Sequence, residues 1–400
     1  MSDPLKDKTI ILGVCGGIAA YKAADLLRAL VKSGARTRVI MTEAARVFVG
    51  PMTFEALSGT SVWTDMFGAG DGMPFRHIEW AEEADAAVIA PATANTIGKM
   101  AHGIADDPLT TFALAVRAPV LVCPSMNTNM YENPIVQENI GRLERAGITV
   151  LRPEAGPLAC GGKGPGRLPD AEAIAEEVRS LLCSKDLAGE HILVTAGPTR
   201  EPVDPVRFLS NPSSGKMGYC MAQAARRRGG KVVLVTGPTA LPDPSGVSVI
   251  RVKTAQEMFD AVTDAAREAT MTIMAAAVSD WRPAKASEHK MKKEETAEHL
   301  PLERTPDILK HLGKNKGNQI LVGFAAETRD LQRNASAKLH EKNLDLIVGN
   351  LIGQANSGFG SDTNQVCLVH RDGSNETLPL MEKEALADVL FDRILAMKKE

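Results

Sequence analysis

The sequence predicts an α/β fold built as two doubly wound, Rossmann-like domains in tandem, and three observations predict it. Short apolar runs alternate with amphipathic stretches through the first half of the chain, and the same alternation restarts after a polar joint at 184–190. At 400 residues the chain is also too long for one ordinary core. Apolar strands separated by helical stretches mean a parallel sheet covered on both faces.

The elements follow in order. Strands are expected over 9–14, 37–41, 86–90, 120–123 and 148–151, with helices over 19–32, 133–145 and 171–182. The second series places strands over 191–195, 231–235, 272–275, 319–323 and 344–348. Its helices fall over 216–228, 255–268, 330–342 and 382–398. Thr254-Ala-Gln-Glu257 is a capping box, in which threonine and glutamate satisfy amide groups at a helix start. Near the end, runs at 365–369 and 376–378 flank Arg371-Asp-Gly373, a turn signal for a small hairpin. The boundary is placed near residue 188, giving domains 1–188 and 189–400.

Composition narrows the function classes. A formal net charge of -3 argues against nucleic acid as the main partner. No apolar run approaches the roughly 20 residues that span a bilayer, and the polar start leads straight into a strand rather than a secretory signal. The six cysteines are scattered without a C-x-x-C pair, a reduced, cytoplasmic pattern. Cys15, Cys123 and Cys367 sit in apolar strand contexts and read as core.

In the first half, Gly13-Val-Cys-Gly-Gly-Ile-Ala-Ala-Tyr-Lys22 follows a strand and opens a helix. Glycines there admit a phosphate to the backbone, and a helix start offers unpaired N–H groups. Alone, such a turn is as often a tight connection. Ala90-Pro-Ala-Thr-Ala-Asn95 and Cys123-Pro-Ser-Met-Asn-Thr-Asn-Met130 also begin where strands end, the edge at which ligands collect. Either one alone would be an ordinary loop.

Together with His77-Ile78 and Ala159-Cys-Gly161, these segments closely resemble the flavin-dependent cysteine decarboxylases, with P-x-M-N-x-x-M as the specific element. The resemblance implies a flavodoxin-like flavoprotein domain that binds FMN through Gly16, Gly17, Ile18, Thr42, Ala92, Thr93 and Ser125. It also implies a chemistry. Oxidised FMN takes two electrons from a substrate thiol, and the resulting thioaldehyde is the electron sink that lets carbon dioxide leave. It makes His77 the base, although a lone histidine is usually structural. Asn127 then holds the departing carboxylate or its amide neighbour, Met130 packs beside it, and Cys160, in a glycine-rich flap, returns a proton. There are two departures. Cys15 replaces the usual serine of the Gly-rich turn, which removes a hydroxyl contact to the FMN phosphate, and Pro108 interrupts an Asp-Asp-Leu-Leu pattern.

In the second half, Thr195-Ala-Gly-Pro-Thr-Arg-Glu-Pro-Val-Asp-Pro-Val-Arg207 leaves a strand and runs through Ser210-Asn-Pro-Ser-Ser-Gly-Lys-Met-Gly218 into a helix. Hydroxyls, glycines and a lysine before a helix suggest an anion site, but not a Walker A loop, whose spacing is absent. This segment resembles phosphopantothenate–cysteine ligases. So do Ala275-Ala-Ala-Val-Ser-Asp-Trp-Arg282, Lys290-Met-Lys-Lys293, Thr305-Pro-Asp-Ile-Leu309, Gly323-Phe-Ala-Ala-Glu-Thr328 and the Lys338/Lys342 helix. The resemblance implies a nucleotide-binding ligase domain that activates a carboxylate with CTP as an acyl-cytidylate, which the cysteine amine then attacks. It assigns Asn211 to the intermediate and Lys290 to the triphosphate, where a bare reading would make Lys290 solvated surface. The CTP pocket it implies comprises Met274, Ala275, Ala276, Asp280, Lys290, Pro306, Asp307, Ile308, Leu309, Phe324, Lys338 and Lys342. Mg²⁺ is expected with the triphosphate, its ligands left open.

The two resemblances combine into a bifunctional enzyme of coenzyme A biosynthesis that condenses 4'-phosphopantothenate with L-cysteine and decarboxylates the product. They also imply homo-oligomers, with trimeric flavin domains whose sites lie between subunits, dimeric ligase domains, and a dodecamer from the two together. The competing readings are another FMN-dependent cysteine decarboxylase or flavin reductase without ligase activity, and a nucleotide-binding regulator without turnover. The second set of motifs disfavours the first, and the intact set His77, Asn127, Cys160, Asn211 and Lys290 disfavours the second.

Overall fold

A computed structural model describes residues 3–67, 75–157, 161–291, 299–327, 331–351 and 360–399. The chain divides into two compact units, one reaching Cys183 and the other beginning at Ser184. Each is a doubly wound α/β layer structure.

In the first unit, β1 (Thr9–Val14), β2 (Arg36–Met41), β3 (Ala86–Ala92), β4 (Val120–Pro124) and β5 (Thr149–Val150) form a parallel sheet in the order β2-β1-β3-β4-β5. All six residues of β1 are buried, because a central parallel strand is covered on both faces. Ile10, Leu12 and Val14 pack with Leu26 and Leu30 of α1 (Lys22–Lys32), preceded by a 3₁₀ turn at Ile18–Tyr21. Ile11 joins the opposite core. The remaining helices are α2 (Glu43–Arg46), α3 (Pro51–Ser58), α4 (Arg76–Glu83), α5 (Ala94–His102), α6 (Pro108–Ala115), α7 (Thr128–Tyr131), α8 (Pro134–Arg145) and α9 (Ala171–Leu182). Pro108, which the sequence presents as an interruption, instead starts α6. Asp107 caps that helix by accepting from the Thr110 N–H at 2.9 Å, and proline costs nothing at a position whose N–H has no helical partner. A hairpin of β6 (Glu154–Pro157) and β7 (Lys163–Arg167) occupies the described part of the glycine-rich stretch.

The second unit opens with β8 (His191–Ala196) and the ribbon of β9 (Arg200–Pro202) with β10 (Phe208–Ser210). Then come β11 (Lys231–Thr236), β12 (Ser248–Arg251), β13 (Met271–Met274), the ribbon of β14 (Trp281–Pro283) with β15 (Leu302–Arg304), β16 (Ile320–Glu327) and β17 (Leu346–Leu351). The last strands are β18 (Thr363–Asn364), β19 (Val366–His370), β20 (Asn375–Thr377) and β21 (Met381–Glu382). Eight of these make one sheet, ordered β12-β11-β8-β13-β16-β17-β19-β20, parallel up to β17 and antiparallel beyond it. The β19–β20 pair is the hairpin expected around Gly373, which has φ 87°.

Alternate residues sort the second sheet's faces. Val194, Leu234, Val322 and Val348 pack with α10 (Lys216–Arg227) and α14 (Lys383–Lys399). Leu193, Val235, Leu321 and Ile347 pack with α11 (Ala255–Ala265), α12 (Ile308–Lys314) and α13 (Leu331–Glu341). The capping box at Thr254 and Glu257 starts α11 as expected.

Two candidate active sites

In both sheets the strand order reverses beside the first strand of the unit, between β1 and β3 in one and between β8 and β13 in the other. At such a point the loops diverge to opposite faces and leave a crevice at the strands' carboxyl ends. A cavity lies at each.

The first cavity, of about 410 Å³, is lined by Gly16, Gly17 and Ile18 after β1, Pro91 and Thr93 at the end of β3, and Ser125, Met126, Asn127 and Met130 after β4. Lys22, Arg167 and Leu168 close it from α1 and the segment at β7. Local bonds fix these loops. Ser125 N–H donates to Ala92 O at 2.9 Å, and Met126 N–H donates to Gly166 O at 3.1 Å. Thr93 caps α5, its hydroxyl accepting from Thr96 N–H at 3.3 Å, and Asn127 caps α7, its Oδ1 accepting from Asn129 N–H at 2.9 Å. Gly17 caps the 3₁₀ turn with no side-chain bond, so the first amide N–H groups of that turn have no helical acceptor. Such groups suit a phosphate, while Thr93, Ser125, Ile18 and Met130 suit a ring with both polar and apolar edges, so the lining fits a flavin nucleotide.

The structure thus gathers Gly16, Gly17, Ile18, Thr93, Ser125, Asn127 and Met130. Three expected residues do not line this chain's cavity. Thr42 caps α2, Ala92 is wholly buried, and His77 is half-buried on α4. Cys160 lies outside the described residues. Cys15, although beside the glycine turn, is wholly buried with its thiol against Thr96 and the Thr93 backbone, and burial pushes that thiol up to about 11. It does not face the cavity, so the serine-to-cysteine change removes no hydroxyl from the lining.

The second cavity, of about 720 Å³, gathers Asn211 and residues 213–218 before and within α10, the Met274–Val278 segment after β13, and Asp280. Thr305 to Leu309, Phe324, Lys338 and Lys342 complete the expected wall. Asn211 Nδ2 donates to Ala277 O at 3.1 Å, and Thr195 Oγ1 accepts from Ala276 N–H at 3.1 Å, which sets the backbone after β13. Asp307 caps α12 by accepting from Lys310 N–H at 3.0 Å, and it also pairs with Lys342 at 2.9 Å. Although burial raises the Asp307 pKa, the Lys310 amide and the Lys342 ammonium outweigh it and hold the carboxyl below the usual range.

Lys290 is exposed and stands off this lining. Its loop is fastened from below, because the buried Asp204 carboxylate accepts from Met291 N–H at 3.3 Å and Arg207 donates to Met291 O at 3.0 Å. The same carboxylate takes Arg207 Nε at 2.8 Å, and the guanidinium holds it well below the usual carboxylate range. Sequence reasoning did not single out Asp204. Its signal was a carboxylate between two prolines, Pro202 and Pro205, in a segment otherwise notable for glycines and hydroxyls. Lys216, the lysine of the suggested anion segment, also lines this cavity, as do Asn350, Asn364 and Lys383, which were not singled out.

A larger cleft of about 1070 Å³ opens at the amino ends of β13 and β16, lined by Thr270, Gln319 and Ile320 among others. It lies at the sheet edge opposite the converging loops, where this fold does not place chemistry. Among the described residues no group of three or more His, Cys, Asp or Glu side chains is placed to hold a metal ion.

Fold and sites define a two-unit α/β enzyme class: a flavoprotein unit followed by a second unit with its own crevice. Residues 1–183 match the flavoprotein family, and residues 187–397 match the DNA/pantothenate metabolism flavoprotein C-terminal domain. The chain is 46% identical over 400 residues to the coenzyme A biosynthesis bifunctional protein CoaBC of Bacillus subtilis (strain 168), covering 99% of this chain and 98% of that one. It is 44% identical over 393 residues to the CoaBC protein of Vibrio vulnificus (strain YJ016), covering 98% of each. Against the CoaBC protein of Escherichia coli (strain K12) the identity is 42% over 401 residues, covering 99% and 98%. The chain belongs to the family of coenzyme A biosynthesis bifunctional proteins.

Proposed function

We propose that this chain makes 4'-phosphopantetheine in two reactions, one at each cavity. The second unit condenses 4'-phosphopantothenate with L-cysteine at the expense of CTP, and the first decarboxylates 4'-phosphopantothenoylcysteine with FMN. The observation that carries this reading is the convergence of both expected sets, seven residues in one cavity and twelve in the other, at the switch points of their sheets.

In the second unit, Met274 to Ala276, Asp280, Pro306 to Leu309 and Phe324 hold the nucleoside, while Lys338 and Lys342 lie beside its phosphates. A carboxylate attacks the α-phosphorus, forming the acyl-cytidylate and releasing pyrophosphate, and the cysteine amine then displaces CMP. Asn211, held to Ala277 O, offers the amide that orients the mixed anhydride. Lys290, on its fastened loop, meets the triphosphate when substrate is present. Mg²⁺ travels with the triphosphate, held mainly by phosphate and water.

In the first unit, the Gly16–Ile18 amides hold the flavin phosphate, and Thr93 and Ser125 bond the ring. Bound there, FMN would supply a reversible two-electron carrier, taking a hydride equivalent from the substrate thiol and giving it back once carbon dioxide has left, so that the conversion is redox-neutral. Asn127 and Met130 orient the carboxylate for loss as carbon dioxide, and Cys160 returns a proton to the product. His77 stands off its own chain's cavity while Ile18, Tyr21 and Met130 lie about half exposed at the cavity, which supports a site completed by a second copy of the chain. Trimeric first units and dimeric second units, assembled as a dodecamer in the cytoplasm, belong to the same reading. No described helix is long and apolar enough to cross a membrane.

The test is direct. Purified protein should show flavin absorbance and, given CTP, 4'-phosphopantothenate and cysteine, should release pyrophosphate and then carbon dioxide. Colourless protein that takes up no FMN overturns the first half, and absence of CTP-dependent pyrophosphate overturns the second.

A further inference from the structure

The first cavity is closed at one end by two cations. Arg167 is the last residue of β7 and Lys22 the first of α1, and both line the cavity. Lys22 Nζ donates to Leu168 O at 3.3 Å, so the ammonium lies against the residue that follows Arg167. The arginine is seated over the other strand of its hairpin at Gly156, where an added Cβ would stand 3.2 Å from both Arg167 Cδ and Nη1. The glycine leaves the room that the guanidinium occupies.

Among the described residues nothing within the cavity neutralises this pair. No Asp or Glu lines it, and the Arg167 guanidinium has neither a hydrogen-bond nor an ion-pair partner. The carboxylate that meets Lys22, Asp170, stands 3.9 Å off and is 79% exposed, so water and salt screen it. Arg167 itself is half-buried. A guanidinium partly withdrawn from water and left without a counter-charge is a receptor for an anion, and its planar fork matches a phosphate.

Three anionic groups must find places here when the first reaction runs. The flavin brings one phosphate, for which the Gly16–Ile18 amides are placed. The substrate brings a carboxylate, met by Asn127 and Met130, and a phosphate at its far end, for which the rest of the lining holds no positive charge. We infer that Arg167, with Lys22 beside it, binds the phosphate of the decarboxylation substrate and so selects phosphorylated over unphosphorylated thiol acids. The inference rests on the decarboxylase reading above. The end of the substrate that does not react is thereby held where α1 and β7 close the cavity, and the hold limits how the reacting end can lie.

The test uses the full chain loaded with FMN and follows carbon dioxide release from 4'-phosphopantothenoylcysteine and from its unphosphorylated counterpart. In Arg167→Gln the KM for the phosphorylated substrate should rise by about tenfold or more, with kcat little changed, and the preference for that substrate should shrink by the same factor. The KM for the unphosphorylated substrate and the flavin affinity, measured by equilibrium dialysis, should each stay within about threefold, which also reports an intact fold. Arg167→Lys keeps the charge without the fork, so its KM for the phosphorylated substrate alone should rise by about threefold; it carries the test should Arg167→Gln fold poorly. A tenfold loss of flavin affinity in folded protein with the preference intact places the flavin phosphate at Arg167 and overturns the inference. An equal rise in both KM values, or no change in either, overturns it too. Wild-type protein that holds flavin but releases no carbon dioxide from either substrate sinks the decarboxylase reading instead, a distinct outcome.

Discussion

The two cavities occupy the same place in two similar sheets, yet their linings differ. The first presents glycine amides, Thr93, Ser125, an asparagine and apolar side chains, with Lys22 and Arg167 as its cations. The second presents Lys216, Lys338, Lys342, Lys383 and Arg304 around Asp280 and Asp307. The contrast follows from where each reaction keeps its charge. A site whose difficult step is supplied by a bound redox group needs shape and a few oriented dipoles. A site that breaks a triphosphate must meet moving negative charge with fixed cations and amide donors. One topology serves both because the carboxyl edge is set by backbone, and the loops above it are free to vary.

The sharpest way to break this comparison is to disable one cavity and read the other. Asn211→Ala removes the amide held against Ala277 O, and ligase turnover should fall by about a hundredfold or more, the scale of losing one positioned donor. Flavin absorbance and carbon dioxide release from supplied 4'-phosphopantothenoylcysteine should be unchanged. A matching loss in both reactions would mean the units do not work separately. The converse variant is Gly166→Ala. Gly166 has φ 149°, and a Cβ there would stand 2.2 Å from the Met126 carbonyl oxygen, a backbone atom that cannot step aside cheaply. Its carbonyl also accepts from Met126 N–H, so the strand-end loop carrying Asn127 should shift. We expect flavin affinity to drop by about tenfold, measured by equilibrium dialysis, with pyrophosphate release intact.

A third prediction concerns acid. Because the folded Asp204 carboxyl titrates below its ordinary value of 3.8, the unfolded chain binds the extra proton first as pH falls. The stability it contributes is therefore whole above 3.8 and is lost as pH drops through the folded value. Asp204→Asn should flatten the acid limb of the second unit's denaturation midpoint, followed by urea titration from about pH 5 to about pH 2. An acid limb as steep as in the wild type would show that Arg207 does not hold that charge in solution.

Much of this was legible in the sequence because the central strands are buried on both faces and therefore apolar throughout. Residues 9–14 and 171–182 were placed to the residue as β1 and α9. The ends of the strands, and hence both cavities, followed. What stayed hidden has a physical reason in each case. The β6–β7 hairpin is glycine- and proline-rich and carries no alternation to read. Lys383 begins a helix about 170 residues from Lys216, so their neighbourhood depends on how α14 packs against α10. Asn350 lies beyond the strand expected over 344–348, whereas the structure carries that strand on through Leu351. His77 marks the opposite limit, since its motif was plain while its place on α4 lies away from its own chain's cavity.

The smallest effect is expected at Cys15, where the resemblance implies a serine. Cys15→Ser restores the hydroxyl of the glycine turn, and if position 15 touched the flavin phosphate, affinity should rise. The structure argues otherwise. Cys15 is buried between β1 and α5, meets Thr96 and the Thr93 backbone, and lies off the cavity lining. A serine hydroxyl can make the same bonds to threonine, so the swap should leave flavin affinity within about twofold and stability within about 1 kcal/mol. The raised thiol pKa, about 11, gives a second readout, because native protein should not be alkylated at Cys15 by iodoacetamide near pH 8. Rapid labelling there, or a tenfold gain in flavin affinity on substitution, would place the side chain in the cavity and make the turn at Cys15 part of the phosphate cradle.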